Sequence, residues 1–206
     1  MRIADMNWMQ VDEYLQSDDR CVLPVGSTEQ HAQLSLCVDA ILSERVAVEA
    51  AEPLGVPVYP AMPFGLAPYF QAFPGSMSLR VETLLAVFRV LVDWVYRSGF
   101  RRVLIVNGHG GNSPVAALAK ELMLERPEIS IKYHPWWAGP KFAAALESID
   151  AVGSHASWIE NFPWTRLESA PAPEGAKALV DYAKLVASSP EAVRELIGDG
   201  NFGGAW

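Results

Sequence analysis

The 206-residue sequence has only two cysteines, Cys21 and Cys37, and neither belongs to a CxxC or Cys/His metal motif. Two cysteines cannot form a disulfide framework, so we expect a reduced, cytoplasmic protein.

Basic residues are also few: 16 Lys and Arg against 24 Asp and Glu give a net charge of −8, which argues against a nucleic-acid partner. No apolar run has the length of a membrane span, and the first ten residues lack the basic-then-apolar order of a signal peptide. We therefore expect no membrane partner.

Half of the residues are hydrophobic and 19% are charged, a composition typical of a well-packed globular protein. Apolar segments at 20–25, 103–106 and 129–134 predict strands, and a proline-containing segment at 56–62 predicts a strand near a sheet edge. Helices are predicted between Asp39 and Pro53 and at about 8–16, 80–97, 114–125, 141–148, 174–187 and 190–197. This alternation predicts right-handed crossovers, and hence one α/β domain over residues 1–206 with a mainly parallel sheet.

The segment Asn107–Asn112, with the sequence NGHGGN, directly follows the buried strand predicted at 103–106. Its glycines predict a tight turn that presents His109 at the carboxyl end of a strand, where ligands collect in α/β sheets. From this segment alone, a functional histidine and a purely structural polar turn are equally consistent. The segment matches neither GxGxxG nor the P-loop, which argues against nucleotide binding.

Three potential metal ligands follow the first predicted strand: Glu29, His31 and Asp39. Glu29 and His31 are two residues apart in an extended segment and therefore point to the same side. Each also has a structural interpretation, since Glu29 can be solvated, His31 can be a hydrogen-bonded loop histidine and Asp39 can cap a helix. If the strands ending at Val25 and Val106 are neighbours, however, their loops meet at one sheet edge. A mixed carboxylate and imidazole set there favours a site for Zn²⁺ or Mn²⁺.

Further candidates lie in loops elsewhere in the chain. His155 lies in a turn, and Glu160 follows five residues later as a possible metal ligand or a surface carboxylate. The Gly-, Pro- and aromatic-rich stretch from 63 to 78 is typical of a binding loop. Trp136, Trp137 and Trp158 are candidates for a pocket wall or for ordinary packing.

The combined motifs resemble the creatininase (creatinine amidohydrolase) family over roughly residues 6–160. They are Pro24–His31, Asp39, Phe73–Ser76, Asn107–Asn112, and His155–Ala156 with Glu160. The resemblance implies a three-layer α/β/α fold, a binuclear metal centre, cleavage of C–N bonds in cyclic or linear amides, and a homo-oligomer, often a hexamer. The implied cofactors are two divalent ions, Zn²⁺ and/or Mn²⁺, with Fe²⁺ also possible.

The resemblance also implies a role for each matching residue. Glu29 and His109 would hold one metal, His31 and Glu160 would hold the other, and Asp39 would bridge the two. His155 would be the acid/base histidine. A hydroxide bridging the two metals would be the nucleophile that attacks the amide carbonyl.

The sequence departs from the family pattern at several positions, and one of them bears on the substrate. Ala32 and the two residues after it replace the family's Gly, Pro and second histidine. Gly111 stands where creatininase itself has a glutamate, which argues against creatinine as substrate. Ser157 and the residues after Glu160 also depart from the family pattern. We therefore expect an amidohydrolase of a small lactam, formamide or related amide. The alternatives are a peptidase-like processing enzyme and a catalytically impaired metal- or metabolite-binding protein.

Overall fold

The computed structural model describes residues 1–171 and 173–206, and its α/β architecture confirms the predicted fold class. The helices are α1 (Trp8–Leu15), α2 (Val38–Ala51), α3 (Val81–Arg97), α4 (Pro114–Glu125), α5 (Pro140–Ile149), α6 (Tyr182–Val186) and α7 (Pro190–Ile197). The strands are β1 (Arg20–Val25), β2 (Arg102–Asn107), β3 (Ser130–Pro135), β4 (Ala176–Lys177) and β5 (Gly204–Ala205).

The main sheet is parallel and has the strand order β1-β2-β3. Val25 pairs with Asn107, so β1 and β2 end side by side at the same edge. The predicted strand at 56–62 forms isolated parallel bridges instead, from Val58 to Arg2 and Val22 and from Met62 to Val25. The prolines at positions 57 and 60 have no N–H to donate, which explains why this segment does not form a continuous strand.

Helices cover both faces of the sheet. On one face, apolar residues of β1 and β2 pack against Leu84, Phe88 and Val92 of α3 and against Leu118 and Leu122 of α4. On the other face, side chains of the sheet pack against Ala47 and Ala51 of α2. This is the predicted three-layer α/β/α arrangement.

Helix α3 buries Leu84, Phe88 and Val92 and exposes Val90 and Trp94. One prediction about a helix was wrong. The helix predicted over 174–187 is confined to α6, because β4 pairs with β5 and Gly175 has a left-handed backbone (φ +89°). Among the described residues, no helix combines the length and apolarity needed to cross a membrane.

Candidate metal centre

The site lies at the edge where β1 and β2 end. The N–H of Gly108 donates to the carbonyl of Val25 at 2.7 Å, which joins the two strand-end loops. A Cβ atom at position 108 would lie 2.1 Å from the carbonyl oxygen of Asp39, so only glycine lets the end of β2 approach α2 this closely.

Asp39 faces this junction from the start of α2. The N-cap of α2 is Cys37, and Asp39 makes no capping hydrogen bond, so the interpretation of Asp39 as a helix cap is wrong. Its carboxylate is buried and points inward instead. Its Oδ1 lies 3.1 Å from Nε2 of His31, and its Oδ2 lies 3.0 Å from Nδ1 of His109.

The structure brings all six predicted site residues into one cluster. Besides the contacts of Asp39, Nδ1 of His109 lies 3.2 Å from Oε2 of Glu29, and Nε2 of His31 lies 3.7 Å from Oε2 of Glu160. Nδ1 of His155 lies 3.8 Å from Oε1 of Glu29. Five of these residues are buried, and the side chain of His155 is 14% exposed.

Each of the three histidines in the cluster has its outer ring nitrogen, the one that points away from the carboxylates, next to a backbone carbonyl. Nδ1 of His31 lies 3.1 Å from the carbonyl of Glu29, and Nε2 of His109 lies 2.8 Å from that of Leu66. Nε2 of His155 lies 2.8 Å from the carbonyl of Gln30. With the outer N–H donated in this way, the inner nitrogen faces the carboxylates, as in histidines that bind metals.

Three buried carboxylate oxygens in this cluster accept no hydrogen bond from the described residues: both oxygens of Glu29 and Oδ2 of Asp39. Two of them face Nδ1 of His109, which is the unprotonated nitrogen when the outer N–H is donated. A buried carboxylate oxygen without a partner is costly, and a cation between it and an imidazole nitrogen removes that cost. The donor atoms also fall into three groups within 4.8 Å of one another. These are Glu29–Asp39–His109, His31–Asp39–Glu160 and Glu29–His31–His155. The donor set therefore fits divalent cations such as Zn²⁺ or Mn²⁺.

Electrostatics separate His155 from the other two histidines. Burial disfavours a charged His31, but the carboxylates of Asp39 and Glu160 outweigh burial and raise the pKa of His31 to about 10. Neighbouring carboxylates likewise outweigh burial at His109 and raise its pKa well above the usual value. By contrast, burial and the positive charge of His31 lower the pKa of His155 well below its usual value. His155 is therefore the neutral histidine of the cluster.

Glu160 is held by a strained turn. Ala156 has a left-handed backbone (φ 59°), and its N–H donates to Oε2 of Glu160 at 2.6 Å. The hydroxyl of Thr165 donates to the carbonyl of Glu160 at 2.6 Å. Burial raises the pKa of Glu160 to about 7 and outweighs the lowering effect of the neighbouring His31.

A cavity of about 330 Å³ opens onto the cluster. Its aromatic wall consists of Tyr69, Phe70, Trp137, Tyr182 and Phe202. None of the described residues lining the cavity is a lysine or arginine. Tyr69 and Phe70 of this wall belong to the stretch 63–78, whose role in binding stays a prediction.

Some contributors to the site were not predicted from the sequence. Of the three tryptophans, Trp137 lines the cavity, whereas Trp136 packs beside α2 and the indole N–H of Trp158 donates to a backbone carbonyl. Tyr182 and Phe202, by contrast, line it from the last quarter of the chain. Gln30 contacts His155, and its place between two predicted ligands in the sequence was a signal that it belongs to the site.

Comparison with known proteins places the chain in a family. The creatininase family model, described as creatinine amidohydrolase, matches residues 4–197. A creatinine amidohydrolase of Pseudomonas putida is 31% identical over 119 residues, covering 54% of this chain and 45% of that protein. A mycofactocin precursor peptide peptidase of Mycolicibacterium smegmatis is 36% identical over 118 residues, covering 52% of this chain and 45% of that protein. The matched regions thus span less than half the length of either relative.

Solved structures share the fold. A putative creatinine amidohydrolase from Bacteroides fragilis has a TM-score of 0.72 at 27% identity, covering 91% of this chain and 78% of that chain. A structure described as creatininase Mn has a TM-score of 0.74 at 21% identity, covering 88% and 80%. A mutant creatininase of the Zn-Zn type has a TM-score of 0.66 at 23% identity, covering 77% and 69%. The chain therefore belongs to the creatininase family.

Proposed function

We propose that this protein is a metal-dependent amidohydrolase that cleaves a C–N bond in a small, uncharged lactam, formamide or related amide. One observation carries the proposal. Three histidines place their outer nitrogens against backbone carbonyls and their inner nitrogens toward buried carboxylates. Of these carboxylates, Glu29 and Asp39 have oxygens that accept no hydrogen bond from the described residues. This is the arrangement that binds metal ions in hydrolases.

The donor groups support a two-metal assignment. Glu29 and His109 would hold one ion, His31 and Glu160 would hold the other, and Asp39, which belongs to both groups, would bridge them. The carboxylate and imidazole donors suit zinc or manganese. Solved family structures of zinc and manganese types are consistent with this choice.

In the proposed reaction, His155 moves the proton. When bound, two divalent ions supply a water of lowered pKa as nucleophile and polarise the amide carbonyl. His155 is neutral and lines the cavity, so its Nδ1 can accept the proton released as the water attacks the carbonyl carbon. The same nitrogen then returns that proton to the departing amine as the C–N bond breaks.

The cavity supports a small uncharged substrate. Aromatic walls suit a flat amide, and the lining offers no lysine or arginine to pair with an anionic group. Gly111 leaves no room for a side chain beside this wall, because a Cβ there would lie 2.0 Å from the carbonyl oxygen of Leu66 and 2.5 Å from Nε2 of His109. A larger residue such as glutamate would displace the carbonyl that contacts His109.

A peptidase-like role is the second candidate. It is favoured by the 36% identity to a precursor peptide peptidase of Mycolicibacterium smegmatis. A panel of lactams, hydantoins, formamides and short peptides distinguishes the two roles by which bond is hydrolysed. Bound metal without hydrolysis of any of them would indicate a binding protein instead.

The central test is the variant Asp39→Asn, which keeps the shape of the side chain and removes its charge. We expect the purified protein to hold about two metal ions and Asp39→Asn to hold one or none, because the bridge is lost. We also expect hydrolysis to fall at least about 100-fold. Elemental analysis and the substrate panel measure both effects.

The matched control is Asp12→Asn, a change of the same kind at an exposed position of α1. It should retain both metal and activity. Active wild-type protein without near-stoichiometric Zn, Mn or Fe would overturn the proposal. Full metal content in Asp39→Asn would show that Asp39 does not bridge.

A further inference from the structure

Lys177 of β4 lies outside the metal cluster, yet all three protons of its ammonium group have acceptors. Nζ lies 2.6 Å from the carbonyl of Ile197, 2.6 Å from Oδ1 of Asp199 and 2.8 Å from the carbonyl of Asn201. The same Oδ1 of Asp199 accepts from the N–H of Asn201 at 3.1 Å. Lys177 therefore fixes the segment 197–202, which we call the clamp loop, at both of its ends.

The clamp loop contacts His155 directly. The N–H of Phe202 donates to the carbonyl of His155 at 3.1 Å, and the ring centroids of these two residues are 4.7 Å apart. Fully buried Asn201 donates from Nδ2 to the carbonyl of Ala156 at 3.1 Å. Phe70 stacks on the His155 ring at 4.9 Å. The loop therefore determines both the backbone position of His155 and part of its packing.

The clamp loop also acts on His155 through Gln30. The carbonyl of Gly200 accepts from Nε2 of Gln30 at 3.1 Å, while Oε1 of Gln30 accepts from the N–H of Ala32 at 3.1 Å. These two bonds fix which way the amide points. The backbone carbonyl of the same Gln30 accepts from Nε2 of His155 at 2.8 Å. Displacing Gly200 would release the side chain of Gln30 and so loosen the residue that orients the outer nitrogen of His155.

We propose that Lys177 is a positioning residue for His155 and acts through the clamp loop. The proposal rests on the function proposed above, in which Nδ1 of His155 moves the proton. Most of the clamp loop lies beyond residues 4–197, the region that matches the family model. The role of Lys177 is therefore inferred from the contacts within this chain alone.

The test compares Lys177→Met with Lys177→Arg in the full-length, metal-loaded protein. Loss of the ammonium group should lower kcat about tenfold and raise KM by a smaller factor, since the proton-transfer group is misplaced while Phe202 is the one cavity-lining residue in the clamp loop. Lys177→Arg should recover most of kcat because it restores charged donors. Lys184→Met, a lysine of α6 with no side-chain hydrogen bond among the described residues, is the matched control and should behave like wild type.

A second measurement does not depend on activity. Diethyl pyrocarbonate modifies accessible histidines, and mass spectrometry gives the rate at His155 relative to His134 in the same sample. Lys177→Met should raise this ratio several-fold and speed hydrogen exchange in residues 198–203, whereas Lys184→Met should change neither. Asp199→Asn, which weakens the same contact and keeps the carbonyl acceptors, should give a smaller rise and serves if Lys177→Met does not fold.

Faster exchange in the clamp loop without any change in the His155 modification ratio or in kcat would overturn the proposal, because Lys177 would then be only structural. Failure of the proposed function looks different. Wild-type protein would hydrolyse nothing, while the modification ratio would still report whether Lys177 positions His155.

Discussion

At residue 111, the absence of a side chain determines how closely two loops approach. The carbonyl of Leu66, which holds Nε2 of His109 at 2.8 Å, occupies the space that a Cβ atom would need. The outer contact of a metal-binding histidine sets the direction of its inner nitrogen. Gly111 is therefore important for His109 although it offers no ligand itself.

This contact gives a prediction for Gly111→Ala. The added methyl group should displace either the Leu66 carbonyl or the His109 ring, and we expect metal affinity to fall about 10- to 100-fold, the usual cost of losing such an outer contact. Metal titration of the purified variant measures the change. Gly110→Ala is the control, because a Cβ at Gly110 has no neighbour within 4 Å. Wild-type affinity in Gly111→Ala would contradict the assignment.

The residues of the candidate metal centre were predictable from the sequence, whereas the backbone conformations around them were not. Glu29, His31 and His109 follow two predicted strands, and parallel neighbours end at the same sheet edge. Ala32 and Ala156 adopt left-handed backbones (φ 52° and 59°), which sequence patterns assign to glycine rather than alanine. Nothing local indicates such conformations in alanine, because the surrounding contacts impose them.

Among the secondary structure elements, β1 and β2 are joined at their starting ends by a charged cluster. Arg20 Nη2 lies 2.5 Å from Oδ2 of Asp18, and Arg102 Nη2 lies 3.0 Å from Oδ1 of the same residue. The hydrogen bond from Arg20 is the main cause that lowers the pKa of Asp18 to about 2. A carboxyl pKa that is lower in the folded than in the unfolded state stabilises the fold above about pH 4, and this contribution is lost as pH falls toward 2.

We therefore expect Asp18→Asn to lower the free energy of unfolding by about 1 kcal/mol at pH 7, a modest value because the ion pairs are partly exposed. The difference from wild type should shrink as pH falls from 4 toward 2. Urea unfolding at a series of pH values measures it, with Asp12→Asn as the control. An effect of the same size at every pH would show that the charge of Asp18 is not its cause.

The accuracy of element prediction depended on whether the determining contacts were local. The ranges of β1, α4 and α7 matched closely, since apolar periodicity and flanking Pro or Gly residues define them within the segment itself. The helix predicted over 174–187 failed because β4 pairs with β5, about 28 residues later in the chain. The same distant segment provides Phe202 at the candidate site, and for the same reason the sequence did not reveal it.

At the scale of the whole molecule, an acidic protein buries three of its 24 carboxylates together. The net charge is −8, and Glu29, Asp39 and Glu160 lie within one cluster. Buried like charges destabilise a fold unless positive charge lies between them. Protons on His31 and His109 can provide that charge, and so can metal ions. The two compete for the same nitrogen atoms, which links metal binding, pH and the stability of the entire chain.

Competition between protons and metal ions at His31 predicts that the stabilisation by bound metal depends on pH. The pKa of His31 is about 10, above its unfolded value near 6.5. Chelator-treated protein should therefore have the full stabilisation from this group below about pH 6.5 and lose it as pH rises toward 10. A bound metal ion must displace that proton, so metal affinity should rise with pH, by up to about tenfold per unit for each proton displaced.

At a fixed Mn²⁺ concentration about 100 times the Kd, binding adds about 2.7 kcal/mol per site. The difference in Tm between metal-loaded and chelated protein should therefore be several degrees and should grow from pH 6 to pH 8. Calorimetry in Mn²⁺ or EDTA measures this difference, and Asp39→Asn, with its bridge removed, should show a much smaller one. A wild-type difference that does not change with pH would mean that protons and metal ions do not share these nitrogen atoms.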